Sequence, residues 1–390
     1  MRLAIYFLFI SVLSILLSLS VLFHTKATQS NEDHNLKVNN TETQKRKAKS
    51  SNVKIVAFTD HSFAPVGQWW YQRLTNLTYT AHTLVLFESR AVAHFEKLKA
   101  KGEYYRTEVK LIDIDNKLKR RFKIHRLWYI RILYCLEQLK AGTSLILTDS
   151  DNIFHRYVDL TLFEDSGYDA IFSFEQRYPT DIFKKQGFVV CGGMTFLKAT
   201  NATVQIMEKL LQRCYESQGR EGKNSKSCDD QTVWNELLFQ DMEWNRKTED
   251  LQAGNDLLQF GFDGVSKSVP SFRANLWDRQ FSLRIPFETC PSEKTWVSMP
   301  APFDHRKELE KKVKGQHGGF LQEFGLFELA KVLIWEKYCS LESSLDSSQR
   351  LEKAVSYYVS NSQNLIRPYA NFTQYNGIFR NDLKQLPAGR

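Results

Sequence analysis

The sequence lacks the signatures of several common functional classes. Its 390 residues contain no internal repeat and no zinc-finger, homeodomain or RNA-binding motif. They also show no Ser/His/Asp or paired-acid arrangement typical of a hydrolase. The net charge of +9 therefore does not indicate a nucleic-acid partner. It indicates a basic surface, which suits an anionic substrate or an anionic membrane surface.

The first segment lacks charge. Residues Leu3–Phe23 carry no charged side chain, and a helix that spans a bilayer needs roughly 20 such apolar residues. A cleaved signal peptide is the alternative, but its apolar core is usually only about 7–15 residues long. We therefore predict a transmembrane signal anchor over 3–23, behind a cytoplasmic tail of residues 1–2.

The next segment, residues 24–52, lacks aromatic side chains and is polar throughout. This composition predicts a disordered stem between the membrane and the domain. Basic residues flank the anchor on both sides, so the positive-inside rule does not decide its orientation. Sequons of the Asn-x-Ser/Thr type favour a lumenal or extracellular domain. Their asparagines are Asn39, Asn76, Asn201 and Asn371.

Cysteine is scarce, with six residues in the chain. A lumenal compartment permits disulfides between them, but the sequence does not determine the pairing. Cys214 and Cys228 enclose the shortest loop, so this pair is the easiest to close. Between them lies a polar, glycine-containing stretch that we expect to be mobile and open to proteolysis around Arg220–Lys226.

Alternating strands and helices begin at Val53. Short apolar runs typical of buried parallel strands alternate with amphipathic helices. The strand candidates are 53–60, 82–89, 108–115, 144–151, 168–175 and 188–199, and the helix candidates are 123–142, 201–211, 228–240 and 325–339. This order predicts an α/β fold with a mainly parallel sheet. We assign the domain to 53–340 and treat 341–390 as a C-terminal extension.

The run Leu145–Leu147 leads directly into Asp149-Ser150-Asp151. Carboxylates at positions i and i+2 of an extended segment point to the same side and repel each other, unless a cation lies nearby. Mg²⁺ and Mn²⁺ prefer oxygen ligands and leave positions free for phosphates. A second pair, Asp113 and Asp115, has the same spacing, but a charged helix start follows it. The context therefore favours Asp149 and Asp151 as metal ligands.

The chain resembles the nucleotide-diphospho-sugar transferases, a family of Golgi glycosyltransferases with the GT-A fold. Four blocks carry the resemblance in the family's order, together with the opening strand VKIVAFTDH. They are KIHRLWYIRILYCLEQLKAGTSLILTDSDNIFHR, YDAIFSFEQ, VVCGGMTFLKAT and CDDQTVWNELL. The resemblance covers roughly residues 53–310. Members of the family transfer a sugar from a Mn²⁺-bound nucleotide sugar with retention of configuration. Their catalytic domain usually follows a membrane anchor and a stem.

The resemblance also implies roles for particular residues. Asp149 and Asp151 would hold Mn²⁺ or Mg²⁺, with Ser150 near the ribose, and Asp230 with Gln231 would lie near the reacting sugar. Gly192 and Gly193 would line the sugar pocket, although a β-bulge explains them equally well. Capping of a helix likewise explains the acids at 229 and 230.

Some positions depart from the family's pattern or match it only weakly. Cys191 stands where relatives often carry Asn, and neither His305 nor His317 falls in register as a third metal ligand. Glu175 and Gln176 are weaker candidates for the same cleft. A basic helix face is interpreted as solvated, with contact to a diphosphate as the alternative. It is formed by Lys123, His125, Arg126 and Arg131.

The sequence thus predicts a single-pass type II enzyme of the Golgi membrane with a lumenal catalytic domain. It would transfer a sugar from a nucleotide-sugar donor, with UDP as the expected nucleotide, to a glycan or glycoprotein acceptor. The alternative is a catalytically inactive lumenal binding or scaffold protein that keeps the same fold.

Overall fold

The computed structural model describes most of the chain beyond residue 50. The described residues are 51–110, 120–175, 178–218, 228–246, 262–277, 282–285, 290–300, 326–341, 344–366 and 369. The chain divides into two units, 1–50 and 51–390, and every described residue lies in the second. The predicted anchor and nearly all of the stem lie outside these residues. Among the described helices, none is long and apolar enough to cross a membrane.

The strands are short and mostly buried. In chain order they are β1 (Val53–Thr59), β2 (His82–Leu86), β3 (Thr107–Val109), β4 (Ser144–Thr148), β5 (Ile153–Phe154), β6 (Ala170–Glu175), β7 (Val189–Leu197), β8 (Met242–Arg246), β9 (Phe262–Ser266), β10 (Arg273–Leu276), β11 (Ser282–Ile285) and β12 (Val297–Pro300). Every residue of β2, β4 and β7 is buried, because protein covers both faces of the sheet at these strands.

The helices connect these strands. They are α1 (Ala64–Asn76), α2 (Ser89–Ala100), α3 (Arg120–Lys140), α4 (Thr161–Glu164), α5 (Thr180–Gln186), α6 (Asn201–Gln218), α7 (Asp230–Asp241), α8 (Leu326–Ser340) and α9 (Ser347–Ile366). A glycine ends α3. Gly142 has φ +81°, and the Thr143 amide closes the helix on the Gln138 carbonyl.

The large sheet has nine strands in the order β3-β2-β1-β4-β7-β6-β10-β9-β8. Only β7 and β9 run against the other strands, since each pairs antiparallel with both neighbours. The prediction of a mixed, mainly parallel sheet with flanking helices is therefore confirmed. A second sheet has the order β11-β12-β5, with β11 parallel and β5 antiparallel to β12.

Two hydrophobic clusters cover the two faces of the large sheet. Alternate residues of β1 divide between them: Ile55 and Ala57 point to the cluster built with α1, α2, α8 and α9, and Val56 points to the one built with α3, α6 and α7. The predicted C-terminal extension contributes α9 to the first cluster through Ala354, Val355 and Tyr358. The C-terminal helices are therefore part of the same core.

Two disulfides occur among the described cysteines. Cys214 pairs with Cys228, the pair that encloses the shortest loop. Cys290 pairs with Cys339 and fastens α8 to the segment before β12. Cys135 and Cys191 are buried and take part in neither disulfide.

Candidate functional site

The site lies where the strand order reverses. The chain builds β1, β2 and β3 outward in one direction, and then returns to place β4 on the other side of β1. β1 and β4 are parallel neighbours, with Ala57 opposite Thr148, so their carboxyl ends lie at the same edge of the sheet. In open α/β sheets, ligands bind in the crevice beyond the carboxyl ends at such a reversal. Asp149-Ser150-Asp151 follows β4 directly into this crevice.

The two carboxylates do not sit on an extended segment, and this part of the prediction is wrong. Residues 150 and 151 form a turn, and the Asn152 amide donates to the Asp149 carbonyl at 3.2 Å. The Asn152 side chain fastens the turn by donating to Thr148 Oγ1 at 2.8 Å and to the Gly193 carbonyl at 2.7 Å. A strand end that turns at once sends the two carboxylates toward different partners.

Asp149 meets a buried cation. Arg131 on α3 donates from Nη1 to Asp149 Oδ1 at 2.9 Å and from Nη2 to the Gly192 carbonyl at 3.0 Å. The Arg131 side chain is only 4% exposed, whereas that of Asp149 is 38% exposed. The interpretation of the basic helix face as solvated is wrong for Arg131. Arg126 is exposed, and the side chains of Lys123 and His125 lie outside the described residues.

Asp230, the first residue of α7, approaches the same guanidinium. Its Oδ2 lies 3.5 Å from Arg131 Nη1, and its side chain is 6% exposed. Burial raises the pKa of Asp230 to about 7, and the nearby Asp229 and Asp149 carboxylates add to this, while Arg131 acts against it. Burial also disfavours the charged form of Arg131, but the carboxylates of Asp230 and Asp149 outweigh it and raise the pKa of Arg131.

Gly192 and Gly193 let these carboxylates approach β7. A Cβ at Gly193 would collide with Asp149 Oδ2, and one at Gly192 would lie 3.0 Å from Asp230 Oδ1. The pairing of β7 with β6 also shifts its register at this point, between Phe172 and Ser173. The bulge interpretation is therefore supported. In this structure the space left by the missing side chains holds the protein's own carboxyl groups.

Asp151 meets a second cation, from a distant part of the chain. Lys331 on α8 places its Nζ 3.3 Å from Asp151 Oδ2. The Lys331 side chain is 10% exposed and that of Asp151 27% exposed. No feature of the sequence indicated Lys331, because 180 residues separate it from Asp151. Only the packing of α8 against the core brings the two together.

The remaining predicted residues surround this centre. Ser150 is buried in the turn between the two aspartates. Gln231 donates from Nε2 to the Tyr178 carbonyl at 2.9 Å. Cys191 is buried, and its Sγ accepts a hydrogen bond from the Gly193 backbone N–H at 3.4 Å. A sulfur atom therefore stands where the family resemblance led us to expect an asparagine side chain. Gln176, His305, His317 and the side chain of Glu175 lie outside the described residues.

Asn235 is a residue that the sequence did not single out. Its Oδ1 accepts from the Val190 amide at 2.8 Å, and its Nδ2 donates to the Val190 carbonyl at 2.8 Å. This pair of bonds fixes α7 against β7, beside the two glycines. The side chain thereby sets the position of Asp230 at the start of the same helix.

Two cations now stand beside the two aspartates, so a metal is not needed to relieve their repulsion. The described part of the chain holds no group of three or more His, Cys, Asp or Glu side chains that could bind a metal ion. The donor type still fits Mn²⁺ or Mg²⁺, since both carboxylates are partly exposed in the crevice and such ions take most of their other ligands from water and phosphates.

Two of the predicted glycosylation sites lie within the described residues. Asn76 ends α1, Asn201 begins α6, and both are exposed. Asn39 and Asn371 lie outside the described residues, as do Asp113, Asp115 and the predicted proteolysis site at 220–226.

Comparison with known families confirms the resemblance stated above. Residues 94–265 match the family model described as nucleotide-diphospho-sugar transferase. This segment contains Arg131, both aspartates of the turn, the two glycines and Asp230. The match supports a glycosyltransferase of the nucleotide-sugar class. No curated protein matches the chain at a significant level.

Several solved glycosyltransferase structures are similar at low identity. The galactosyltransferase LgtC in complex with donor and acceptor sugar analogs is 13% identical over 64% of this chain and 87% of its own, with a TM-score of 0.36. A glycosyltransferase involved in glycosylation of the major capsid of PBCV-1 is 10% identical over 64% and 94%, with a TM-score of 0.34. GlyE of Streptococcus pneumoniae TIGR4 is 13% identical over 79% and 64%, with a TM-score of 0.36.

Proposed function

We propose that the protein is a metal-dependent glycosyltransferase of the GT-A type. It would move a sugar from a UDP-sugar to a glycan or glycoprotein acceptor with retention of configuration. The observation that carries the proposal is the position of Asp149 and Asp151. They lie at the crevice beyond the carboxyl ends of β1 and β4, within the segment that matches the family model.

Asp149 and Asp151 would hold Mn²⁺ or Mg²⁺. When bound, such an ion neutralises the diphosphate leaving group. Arg131 and Lys331 each share the charge of one of these carboxylates. Their positive charges add to the attraction that the crevice exerts on a diphosphate. Ser150, in the same turn, would lie beside the ribose.

Asp230 and Gln231 would face the reacting sugar. A sugar gains positive charge as its bond to the diphosphate breaks, and a fixed carboxylate stabilises that charge without having to reorganise. The pKa of Asp230 lies near 7 because of burial, so a positive charge beside it favours the ionised form. We assign no covalent role to either residue.

Several observations fit a lumenal domain on a type II Golgi membrane protein. The two disulfides suit an oxidising compartment, and Asn76 and Asn201 are exposed for glycan attachment. Glycosidase treatment of the protein from its native cell should lower its apparent mass while the N-terminus remains attached. A protein without glycans would contradict this compartment and the type II topology.

Calorimetric titration with UDP tests the site itself. We expect binding in the presence of Mn²⁺, and a loss of at least tenfold in affinity in Asp149→Asn and Asp151→Asn. Asp113→Asn and Asp115→Asn are matched controls, because their spacing is identical, and they should bind UDP as the wild type does. Unchanged binding in the Asp149 and Asp151 variants would show that the metal site is elsewhere.

A catalytically inactive binding protein is the second candidate. It is favoured by the pairing of each carboxylate with a protein cation, which leaves the centre electrically balanced without a metal. Turnover of a panel of UDP-sugars with Mn²⁺ separates the two. Release of UDP from at least one UDP-sugar supports the glycosyltransferase, whereas UDP binding without any such release supports the inactive binding protein.

A further inference from the structure

We infer that Tyr178 is the platform on which the ring of an acceptor sugar stacks, and that the acceptor therefore presents a pyranose ring to this site. The inference rests on the proposed function and extends it, since it places the acceptor as well as the donor. Tyr178 follows β6, and its side chain was not among the residues that the sequence singled out.

The sheet order places Tyr178 across the site from the donor. β6 runs parallel to β4, because both pair antiparallel with β7, which lies between them. The carboxyl ends of β4 and β6 therefore open at the same edge of the sheet, two strand spacings or roughly 10 Å apart. Asp149 and Asp151 follow the first of these strands, and Tyr178 comes three residues after the second.

Asp230 lies between these two positions. Its carboxyl packs against Gly192 of the intervening strand β7, and Gln231, the next residue, contacts Tyr178. A donor held at the β4 end and a ring held at the β6 end would thus meet beside the carboxylate expected to stabilise the transition state. A gap of roughly 10 Å leaves room for the transferred sugar between them.

The Tyr178 ring is exposed and held in one orientation. The residue is 54% exposed. The Tyr178 hydroxyl lies 3.1 Å from Thr232 Oγ1, and the Thr232 hydroxyl donates to Asp229 Oδ2 at 2.6 Å. Its carbonyl accepts from Gln231 Nε2 at 2.9 Å. Both ends of the residue are therefore bound to the first turn of α7, while the ring stays accessible.

These properties match what a sugar ring requires. One face of a pyranose carries C–H groups that pack on an aromatic face, and its edges carry hydroxyls that need hydrogen-bond partners. Tyrosine supplies a rigid contact with few rotatable bonds, so little conformational entropy is lost on binding. Gln231 and Thr232 place an amide and a hydroxyl beside the ring for the sugar's edge.

Exposed tyrosines alone prove nothing, because single exposed apolar groups are normal on protein surfaces. Tyr104 and Tyr215 are more exposed, at 74% and 68%. Tyr178 differs in its position at the site and in its anchorage to α7. Tyr215, which lies on α6, is therefore a suitable control for the loss of an exposed ring.

The test is saturation-transfer NMR on the full-length protein with UDP, Mn²⁺ and a panel of methyl pyranosides. We expect at least one glycoside to receive saturation through its ring C–H protons. In Tyr178→Ala this signal should fall at least fivefold, whereas Tyr178→Phe, which keeps the ring, should lose no more than two- to threefold. Tyr215→Ala should match the wild type.

Calorimetry with UDP on the same samples separates the two proposals. If UDP binds the wild type and Tyr178→Ala equally while the glycoside signal is lost only in Tyr178→Ala, the platform is supported. If UDP binds but no glycoside does, or a glycoside binds Tyr178→Ala as well as the wild type, the inference is overturned and the proposed donor site stands. If UDP does not bind, the proposed function itself has failed.

Discussion

The two aspartates of one turn occupy different halves of the site. In the inner half, Asp149 shares the buried Arg131 with Asp230, close against β7. In the outer half, Asp151 meets Lys331 from the C-terminal helix α8 at 3.3 Å. The inner half lies within the segment that matches the family, whereas Lys331 lies beyond it.

The difference is one of burial and therefore of energy. Arg131 is 4% exposed and must be compensated by charges that the fold supplies, so the inner half is expensive to disturb. In the outer half Lys331 is buried as well, at 10% exposed, but the carboxylate that it meets, that of Asp151, is 27% exposed and can exchange the lysine for water. We infer that the inner half is part of the folded core and that the outer half is adjustable.

Removing the inner cation should have the largest effect. Arg131→Met leaves the carboxyl of Asp230 buried without its ion pair and should lower the free energy of unfolding by about 3–5 kcal/mol. Urea denaturation measures this change. Lys140→Met is the control, because the pair of Lys140 with Glu208 lies on the surface, with side chains 52% and 49% exposed. It should change stability by less than about 1 kcal/mol. An effect of Arg131→Met no larger than that of Lys140→Met would show that Arg131 is not part of the folded core.

Filling the space beside β7 should have the next largest effect. Gly193→Ala drives a methyl group into the Asp149 carboxylate, and overpacking of this kind costs about 1–3 kcal/mol. Gly192→Ala is milder, since the nearest atom, Asp230 Oδ1, lies 3.0 Å away and needs to move less. We expect Gly193→Ala to be the less stable variant and to bind UDP more weakly. The reverse order would mean that Asp149 does not depend on Gly193.

Protein stability should fall in acid through His155, which lies beside the same helix, α8, as the outer cation. Its Nε2 lies 2.9 Å from Ser298 Oγ, and its ring centre lies 5.8 Å from that of Trp335 on α8. Burial, with Arg73 adding to it, lowers the pKa of His155 to about 4. Between pH 6.5 and 4 the unfolded chain therefore binds a proton that the folded chain does not, and stability falls as the pH falls.

For a histidine whose pKa falls from 6.5 to about 4, this loss should be about 2 kcal/mol at pH 5. Denaturation midpoints of the wild type and His155→Gln, measured at pH 5 and pH 7, isolate it, because the variant cannot take up that proton. A pH dependence that is the same in both proteins would show that His155 stays accessible to protons in the folded state.

Removing the outer cation should have the smallest effect on stability. It should also strengthen metal binding. Lys331→Met frees Asp151 from a competing positive charge, so Mn²⁺ affinity should rise about three- to fivefold, or less than about 1 kcal/mol. Calorimetry with Mn²⁺ alone measures it. Lys337→Met loses the same charge from the same helix but lies over the Tyr357 ring, 4.5 Å from its centre, and should leave the affinity unchanged. Weaker binding in Lys331→Met would show that this lysine supports the metal.

Much of the fold could be predicted from local patterns. Continuous apolar runs identified β1, β2, β4 and β7, because a strand buried on both faces needs apolar side chains throughout. The helix candidate 123–142 likewise ended at Gly142, whose left-handed conformation favours glycine. The short loop between Cys214 and Cys228 made that pair the easiest to close, and the structure contains this disulfide.

The candidate site was predicted only in part. The strand-end position of Asp149 and Asp151 followed from the order of apolar and charged residues. The need for a nearby cation was predicted, but the two protein cations were not, since they come from α3 and α8 and no local pattern links these helices to the turn. The interpretation of Arg131 as solvated failed for the same reason, because helical spacing does not tell which polar side chain will be buried against a charge partner.

By itself, the sequence determined the class of fold, the order of the central strands and the strand-end position of the two aspartates. These depend on side-chain periodicity and on residues close together in the chain. The tertiary structure alone decided which charges meet. Asp149, Arg131 and Asp230 converge because β4, α3 and α7 pack around β7, and Asp151 gains Lys331 because α8 packs on the opposite face of the sheet from α3. Electrostatic partners are set by distance in space, and distance in space follows from packing.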